Sequence, residues 1–106
     1  TVVMPSTSQA IVDMYPQIIN RHPGPVVSIE HRLLYNLDFS VTDGAAPTPL
    51  TSYVAREGKD VTVVATSVMV LEAMRAAQYV QEKAGIETEV IDLNSISHPD
   101  WDLVAA

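Results

Sequence analysis

The sequence contains no cysteine, one phenylalanine, one tryptophan, four glycines and six basic residues. Without cysteine there is no disulfide framework, thiolate nucleophile or zinc–thiolate site, and the redox compartment stays open. Six bases against thirteen acids leave a formal charge of −7. That argues against a nucleic-acid partner, because phosphate binding rests on clustered lysine and arginine. It favours a basic protein partner through complementary fields. No apolar run approaches the roughly 20 residues that span a bilayer, and no basic, apolar, small-residue leader opens the chain. A soluble, cytoplasmic protein is expected. His22, His31 and His98 lie far apart and none has metal-ligand spacing to another His, Asp or Glu, so no metal site is expected.

What is present is a chain built to pack. Of 106 residues, 47% are hydrophobic and 18% charged, a globular composition with room for one ordinary domain. The sequence opens at Thr1-Val2-Val3, already strand-like, and closes at Trp101 to Ala106 in what reads as the first turns of a helix. A fragment is the expectation.

Val2-Val3-Met4 is a short strand closed by Pro5, and Ser6-Thr7-Ser8 supplies hydroxyls for a helix N-cap. Ala10, Ile11, Met14, Ile18 and Ile19 repeat at helical spacing, with a kink or stop expected near Tyr15 because Pro16 lacks a backbone donor. Arg21 to Pro25 is turn chemistry, and Pro25 to Ile29 reads as a buried strand. Asn36 to Thr51 carries Asp38, Asp43, Gly44 and two prolines with little periodicity, which suits a linker running over a surface. Ser52 to Arg56 reads as an edge strand, Glu57 to Asp60 as a tight turn, and Val61 to Ala65 as a β-branched strand. Thr66-Ser67 is expected to cap a helix over Val68 to Ala84, with Val68, Leu71, Met74, Ala77 and Val80 as its core stripe. Gly85 falls where a left-handed C-terminal residue belongs. Ile86 to Leu93 is the next strand, and Ser97-His98-Pro99-Asp100 opens another helix. Strand, helix, strand, helix at this spacing is a parallel βαβ unit, and the fold class is α/β.

The candidates for chemistry are few. Glu30-His31-Arg32 puts a base, an imidazole and a guanidinium at a strand's carboxyl end, where open α/β sheets hold ligands. Successive strand residues face opposite ways, however, so the triplet also reads as a strand exit, with Leu33, Leu34 and Tyr35 packing on a neighbour. Thr66-Ser67 could present donors to a phosphate, but the loop lacks the necessary glycines and a helix cap accounts for its hydroxyls. Trp101 is the best single anchor for packing or for a partner surface. No nucleophile stands with a base. No residue is assigned a catalytic, cofactor-binding or metal role.

The order of segments resembles a known family. VVMPST, a helix, PVVSIEHRLLY, a proline linker with TPL, AREGKDVTVVATSVMVLEA and AGIETEVIDLNSIS together resemble the β subunit of thiamine-diphosphate-dependent 2-oxo acid dehydrogenases, in the transketolase-like superfamily. The specific part runs from Glu57 to Ile96, and Glu30, Leu34 and Tyr35 fit a Glu-x-x-x-Leu-Tyr signature. The resemblance implies a three-layer transketolase-like α/β fold. Residues 1–44 would be the last β-α-β of a pyrimidine-binding-like domain, 45–57 a linker or edge segment, and 58–106 the start of the transketolase C-terminal-like domain.

It implies an assembly that decarboxylates a 2-oxo acid oxidatively and passes the acyl group to the lipoyl-bearing E2 component, this segment being structural. Thiamine diphosphate and magnesium would belong to that assembly, with none bound by this segment. The activating glutamate and the active-site histidine would lie upstream of Thr1, and the α subunit would hold the diphosphate. Partners would be the E1 α subunit and the E2 subunit-binding domain, with self-association of the segment alone. The location would be cytoplasmic in a bacterium and the mitochondrial matrix in a eukaryote. A loop that holds potassium in some relatives would fall at Ile19 to Gly24, where this chain reads INRHPG in place of an acidic pattern. The family's Asp-Ala-Lys-Gly is Ala-Ile-Val-Asp here, and its Ser-Pro-Leu-Asp is Ser97-His98-Pro99-Asp100. Alternatives are a free-standing, non-catalytic interaction module and a relative of transketolase or deoxyxylulose-phosphate synthase.

Overall fold

The computed structural model describes residues 1–42 and 46–106. Two small sheets form. In the first, β1 (Val2–Val3) and β2 (Val27–Ser28) pair in parallel, Val2 opposite Val27. Between them runs α1 (Ser8–Arg21), whose N-cap Thr7 accepts a hydrogen bond from the Ala10 N–H at 3.1 Å. Ala10, Met14 and Ile18 recur every four residues and pack with Val3, Val26 and Leu50.

Pro16 does not end α1, so of the kink or stop expected near Tyr15 the stop does not occur. The carbonyl it deprives of a partner is that of Val12, and both residues are exposed, so water can serve it. The next carbonyl, on Asp13, accepts from Gln17 Nε2 at 2.9 Å, and His22 closes the helix by donating to the Gln17 carbonyl at 3.1 Å.

The expected buried strand from Pro25 to Ile29 also needs correction. Only Val27–Ser28 is strand, and Val27 and Ile29 are 56% and 43% exposed. Among the described residues β2 has one strand neighbour, so only Val26 reaches the core beneath α1. From Asn36 to Thr51 the described residues are irregular and lie against α1. Asp43, Gly44 and Ala45, and with them the expected boundary between 44 and 45, lie outside the described residues.

The second sheet has the order β3-β5-β4, formed by β3 (Tyr53–Arg56), β4 (Val61–Ala65) and β5 (Thr88–Asp92). As the β-branched runs imply, β4 and β5 are parallel, from Val61 opposite Thr88 to Ala65 opposite Asp92, and α2 (Val68–Ala84) crosses between them. β3 is antiparallel to β5 along the other side. The turn before β4 passes so close to β5 that a Cβ on Gly58 would lie 2.3 Å from Glu89 N. Gly85 ends α2 at φ 67, the left-handed position expected of it.

The core stripe of α2 is shifted from the expected one. Val70 and Ala77 are buried against Val90, with Ala73 and Met74 alongside, while Val68, Leu71 and Val80 are half-buried. Met74 and Ala77 belong to the expected stripe, and Val70 and Ala73 join them at helical spacing in place of Val68, Leu71 and Val80, with small alanines set toward the sheet. Ser67 does not cap through its hydroxyl. It sits at φ 52, ψ −132, its Oγ is buried without a partner, and the first turn closes instead through the Thr66 and Ser67 carbonyls. The chain must turn from strand to helix within two residues there, and that conformation is strained for a non-glycine residue.

After β5 the chain returns to the first sheet. The Asn94 carbonyl accepts from Met4 N–H at 2.6 Å, and Ile96 N–H donates to the Val2 carbonyl at 3.0 Å. α3 (Trp101–Ala105) then begins from Asp100, which accepts from the Leu103 N–H at 2.9 Å. Trp101 is 64% exposed and anchors no core. No helix among the described residues is long and apolar enough to cross a membrane.

Candidate functional site at the junction of the two sheets

The chemistry-bearing groups collect where the first sheet meets the carboxyl end of β5. Asp92 ends that strand with no exposed surface. The Ser6 hydroxyl, from the loop between β1 and α1, and the Tyr53 hydroxyl, at 3.0 Å from β3, both donate to Asp92 Oδ2. Oδ1 accepts from Asn94 N–H at 2.9 Å. Burial pushes the Asp92 carboxyl above its ordinary value, against the lowering effect of these donors. Burial and the neighbouring carboxylate push the Tyr53 phenol far above its ordinary value, which keeps it a neutral donor.

Asn94 extends the junction. It takes φ 55, a conformation that asparagine tolerates. Its Nδ2 donates to the Pro49 and Thr51 carbonyls at 2.8 and 3.2 Å and lies 3.4 Å from Met14 Sδ. Three segments distant in sequence are thus held by two polar residues one apart, Asp92 and Asn94. The Ser6 hydroxyl faces the Asp92 carboxylate, but both are buried and Asp92 Oδ2 is shared with Tyr53, so no substrate reaches the pair. The network positions chain segments.

Two cavities flank this junction. One, of about 300 Å³, lies at the carboxyl end of β2 and is lined by Glu30 and His31 together with Ser6, Ser8, Leu34 and Phe39. The other, of about 370 Å³, lies between the units, with Val54, Val70, Leu71 and Met74 among its apolar walls and Tyr53 beside them.

Glu30 and His31 share the first cavity because the chain leaves the extended conformation at His31 and enters a short 3-10 turn over Arg32–Leu34. Glu30 accepts from Tyr15 and, at 3.0 Å, from Tyr35. Hydrogen bonding to Glu30 raises both tyrosines above their ordinary value. His31 Nδ1 accepts from Leu33 N–H at 3.2 Å, which leaves the ring proton on Nε2. Arg32 is exposed. Leu33 and Tyr35 are 67% and 66% exposed and Leu34 is half-buried, so within this chain only Leu34 of the expected Leu33–Tyr35 packing is seen; a tight turn sends its side chains in all directions.

His22 and His98 stay apart from both cavities. His22 is tied to Thr1 and Gly24, and His98 to Ser97. The residues from Ile19 to Arg21 that a potassium loop would use are the last turn of α1.

The described residues do not fit thiamine diphosphate with its metal. They contain no group of three or more His, Cys, Asp or Glu able to hold an ion. The one glycine in close contact, Gly58, faces β5 backbone, and Glu30 is engaged by two tyrosines.

Residues 51–106, just over half of the chain, match the family described as transketolase, C-terminal domain. The chain belongs to that family. The transketolase C-terminal match begins two residues before β3 and takes in the whole second sheet. The chain is 39% identical over 104 residues to the acetoin:2,6-dichlorophenolindophenol oxidoreductase subunit beta of Cupriavidus necator, covering 97% of this chain and 30% of that protein. It is 46% identical over 91 residues to the mitochondrial pyruvate dehydrogenase E1 component subunit beta of Pisum sativum, covering 81% of this chain and 25% of that one. A solved split-gene transketolase, described as an inactive β4 tetramer, superposes with a TM-score of 0.77 at 25% identity, over 98% of this chain and 33% of its own. The chain therefore spans about a third or less of the length of these relatives.

The resemblance seen in the sequence was thus to the right family. Sequence reasoning missed Ser6, Tyr53 and Asp92 as a group. The signal was an acid inside an otherwise apolar run, Val90-Ile91-Asp92-Leu93, which a buried strand admits only if partners come from elsewhere.

Proposed function

We propose that this chain is the junction region of the β component of a thiamine-diphosphate-dependent enzyme of the 2-oxo acid dehydrogenase type. One observation carries this reading: the similarity to the Cupriavidus β subunit covers 97% of this chain, and so extends over both sheets and not the C-terminal family match alone. On this reading residues 1–44 close a pyrimidine-binding-like domain, 45–57 connect, and 58–106 begin the transketolase C-terminal domain. The assembly takes a 2-oxo acid, or an α-hydroxy ketone such as the acetoin in that relative's name, and hands the acyl group to a lipoyl carrier. The bound thiamine diphosphate would supply the carbanion chemistry from outside this chain. This chain's share is mechanical: Asp92 and Asn94 fix the two units against each other.

An E1 α subunit and the E2 subunit-binding domain are the proposed partners. The tetramer named for the solved neighbour supports self-association. Cytoplasm in a bacterium and mitochondrial matrix in a eukaryote are the proposed locations, the second supported by the mitochondrial name of the Pisum relative. Co-sedimentation of this chain with the α subunit of such a dehydrogenase tests the reading. A stable complex is expected, and independent sedimentation of the two proteins at tens of micromolar contradicts it. The solved neighbour favours a second reading, a transketolase relative. An assembly that moves ketol groups between sugar phosphates without a lipoyl acceptor would establish that one instead.

A further inference from the structure

The carboxylate of Glu30 is held in place without being neutralised. Tyr15 of α1 and Tyr35, which closes the 3-10 turn, donate their hydroxyls to different oxygens of it, Tyr35 at 3.0 Å. A carboxylate has about four acceptor positions, so about two stay open. Both donors are neutral, because the bond to Glu30 raises each phenol above its ordinary value and keeps its proton in place. Among the described residues the ion pairs are Lys59–Glu87 and Glu72–Arg75, and neither Glu30 nor the exposed Arg32 belongs to one.

This fixed charge stands on the wall of the cavity of about 300 Å³ at the carboxyl end of β2. Ile11, Leu34 and Phe39 give the cavity apolar sides, and no lysine or arginine is among its lining residues. The chain around it carries a formal charge of −7, and a cleft lined by one sign of charge concentrates ions of the other. A charged head on an apolar stem matches both features, as in the lysine side chain. Glu30 is exposed, so the pair forms in contact with water and the affinity is modest.

We propose that the cavity beside Glu30 binds a protonated primary amine on a short aliphatic stem, the ammonium on the Glu30 carboxylate and the stem against Ile11, Leu34 and Phe39. The amine is either a free small molecule or the lysine side chain of a partner protein. The site depends on residues of the first sheet, α1 and the 3-10 turn, and stands independently of the assembly in which the chain works.

Titration of the full 106-residue chain with n-butylamine, followed by backbone amide NMR, tests it. The amine is protonated at neutral pH. The amides of Ser8, Ile11, His31 and Leu34 should shift saturably with a Kd of about 1 to 10 mM, while those of Val90 and Ile91 stay in place. n-Butanol, a neutral analogue of the same length, should bind at least about tenfold more weakly, and Glu30→Gln should weaken the amine about tenfold. Should Glu30→Gln displace the Val90 and Ile91 amides, sodium chloride at about 0.5 M on the native chain serves in its place, weakening the amine severalfold. Nα-acetyl-lysine amide separates the two sources. Binding at least as tight as that of butylamine assigns the site to a partner's lysine, and weaker binding assigns it to a free amine. Equal binding of butanol and butylamine, tighter binding of butanoate, or an amine response indifferent to Glu30→Gln overturns the proposal.

Discussion

The two sheets are made from similar strand sequences and end up in different surroundings. Pro25 to Ile29 and Thr88 to Asp92 are both rich in β-branched residues. Yet Val27 is 56% exposed, whereas Val90 and Ile91 lie at 1% or less. β5 runs between β3 and β4 with α2 above it, while β2 has β1 alone among the described strands. Burial of a strand is therefore set by how many neighbours it finds. Composition shows only that it can be buried.

The strongest way to break the comparison is to remove the group that ties the units together. Asp92→Ala should leave the Ser6 and Tyr53 hydroxyls and the Asn94 amide buried without an acceptor, destabilising the chain by about 3 kcal/mol in a urea titration. A loss under about 1 kcal/mol would mean that the junction does not hold the units. Val90→Ala against Val27→Ala contrasts the strands directly. The first should cost about 2 kcal/mol and the second less than about 0.5 kcal/mol, and equal losses would refute the difference in burial.

The glycines sharpen the same contrast. A Cβ on Gly58 would strike β5 backbone, so Gly58→Ala should cost about 2 kcal/mol. Gly24 has nothing within 4 Å of the same position and no left-handed φ, so Gly24→Ala should change stability by no more than about 0.5 kcal/mol.

A smaller effect separates the junction from α1 by pH. Burial raises the Asp92 carboxyl above 3.8, so its stabilising contribution is present below the unfolded value and lost as pH rises through the raised one. The Thr48 amide, chiefly, holds Asp13 below 3.8, so its contribution is present above the unfolded value and lost as pH falls through the lowered one. Tyr53 is the titratable neighbour of Asp92 and, more remotely, of Asp13. Denaturation midpoints followed across acid and neutral pH should lose their decline toward neutral pH in Asp92→Asn. In Asp13→Asn they should lose part of their decline toward acid. The reverse assignment would contradict the full burial of Asp92 and the backbone hydrogen bond that Asp13 accepts.

Most of the second unit was legible in the residues. Val61 to Ala65, the helix to Ala84, Gly85 and the edge strand before Gly58 fall where periodicity and turn chemistry put them. Their determinants are local. Pro16 misled because its effect depends on which side of the helix its orphaned carbonyl faces, and that is a property of the packed chain. Ser67 misled because hydroxyls at a helix start suit a cap, while a two-residue passage from strand to helix imposed another backbone. The junction was least legible, since Ser6, Tyr53 and Asp92 are 86 residues apart at their widest and meet only through the fold. The Gln9–Asp13–Gln17 spacing is plain in the sequence and has meaning only with Thr42 and Thr48 beside it.

The central claim is that this chain joins two units of a larger thiamine enzyme and carries no cofactor site of its own. Titration calorimetry of the chain with thiamine diphosphate and magnesium tests it most directly. No heat of specific binding is predicted, and saturable binding with a Kd near or below about 10 μM, worth roughly 7 kcal/mol, would contradict it.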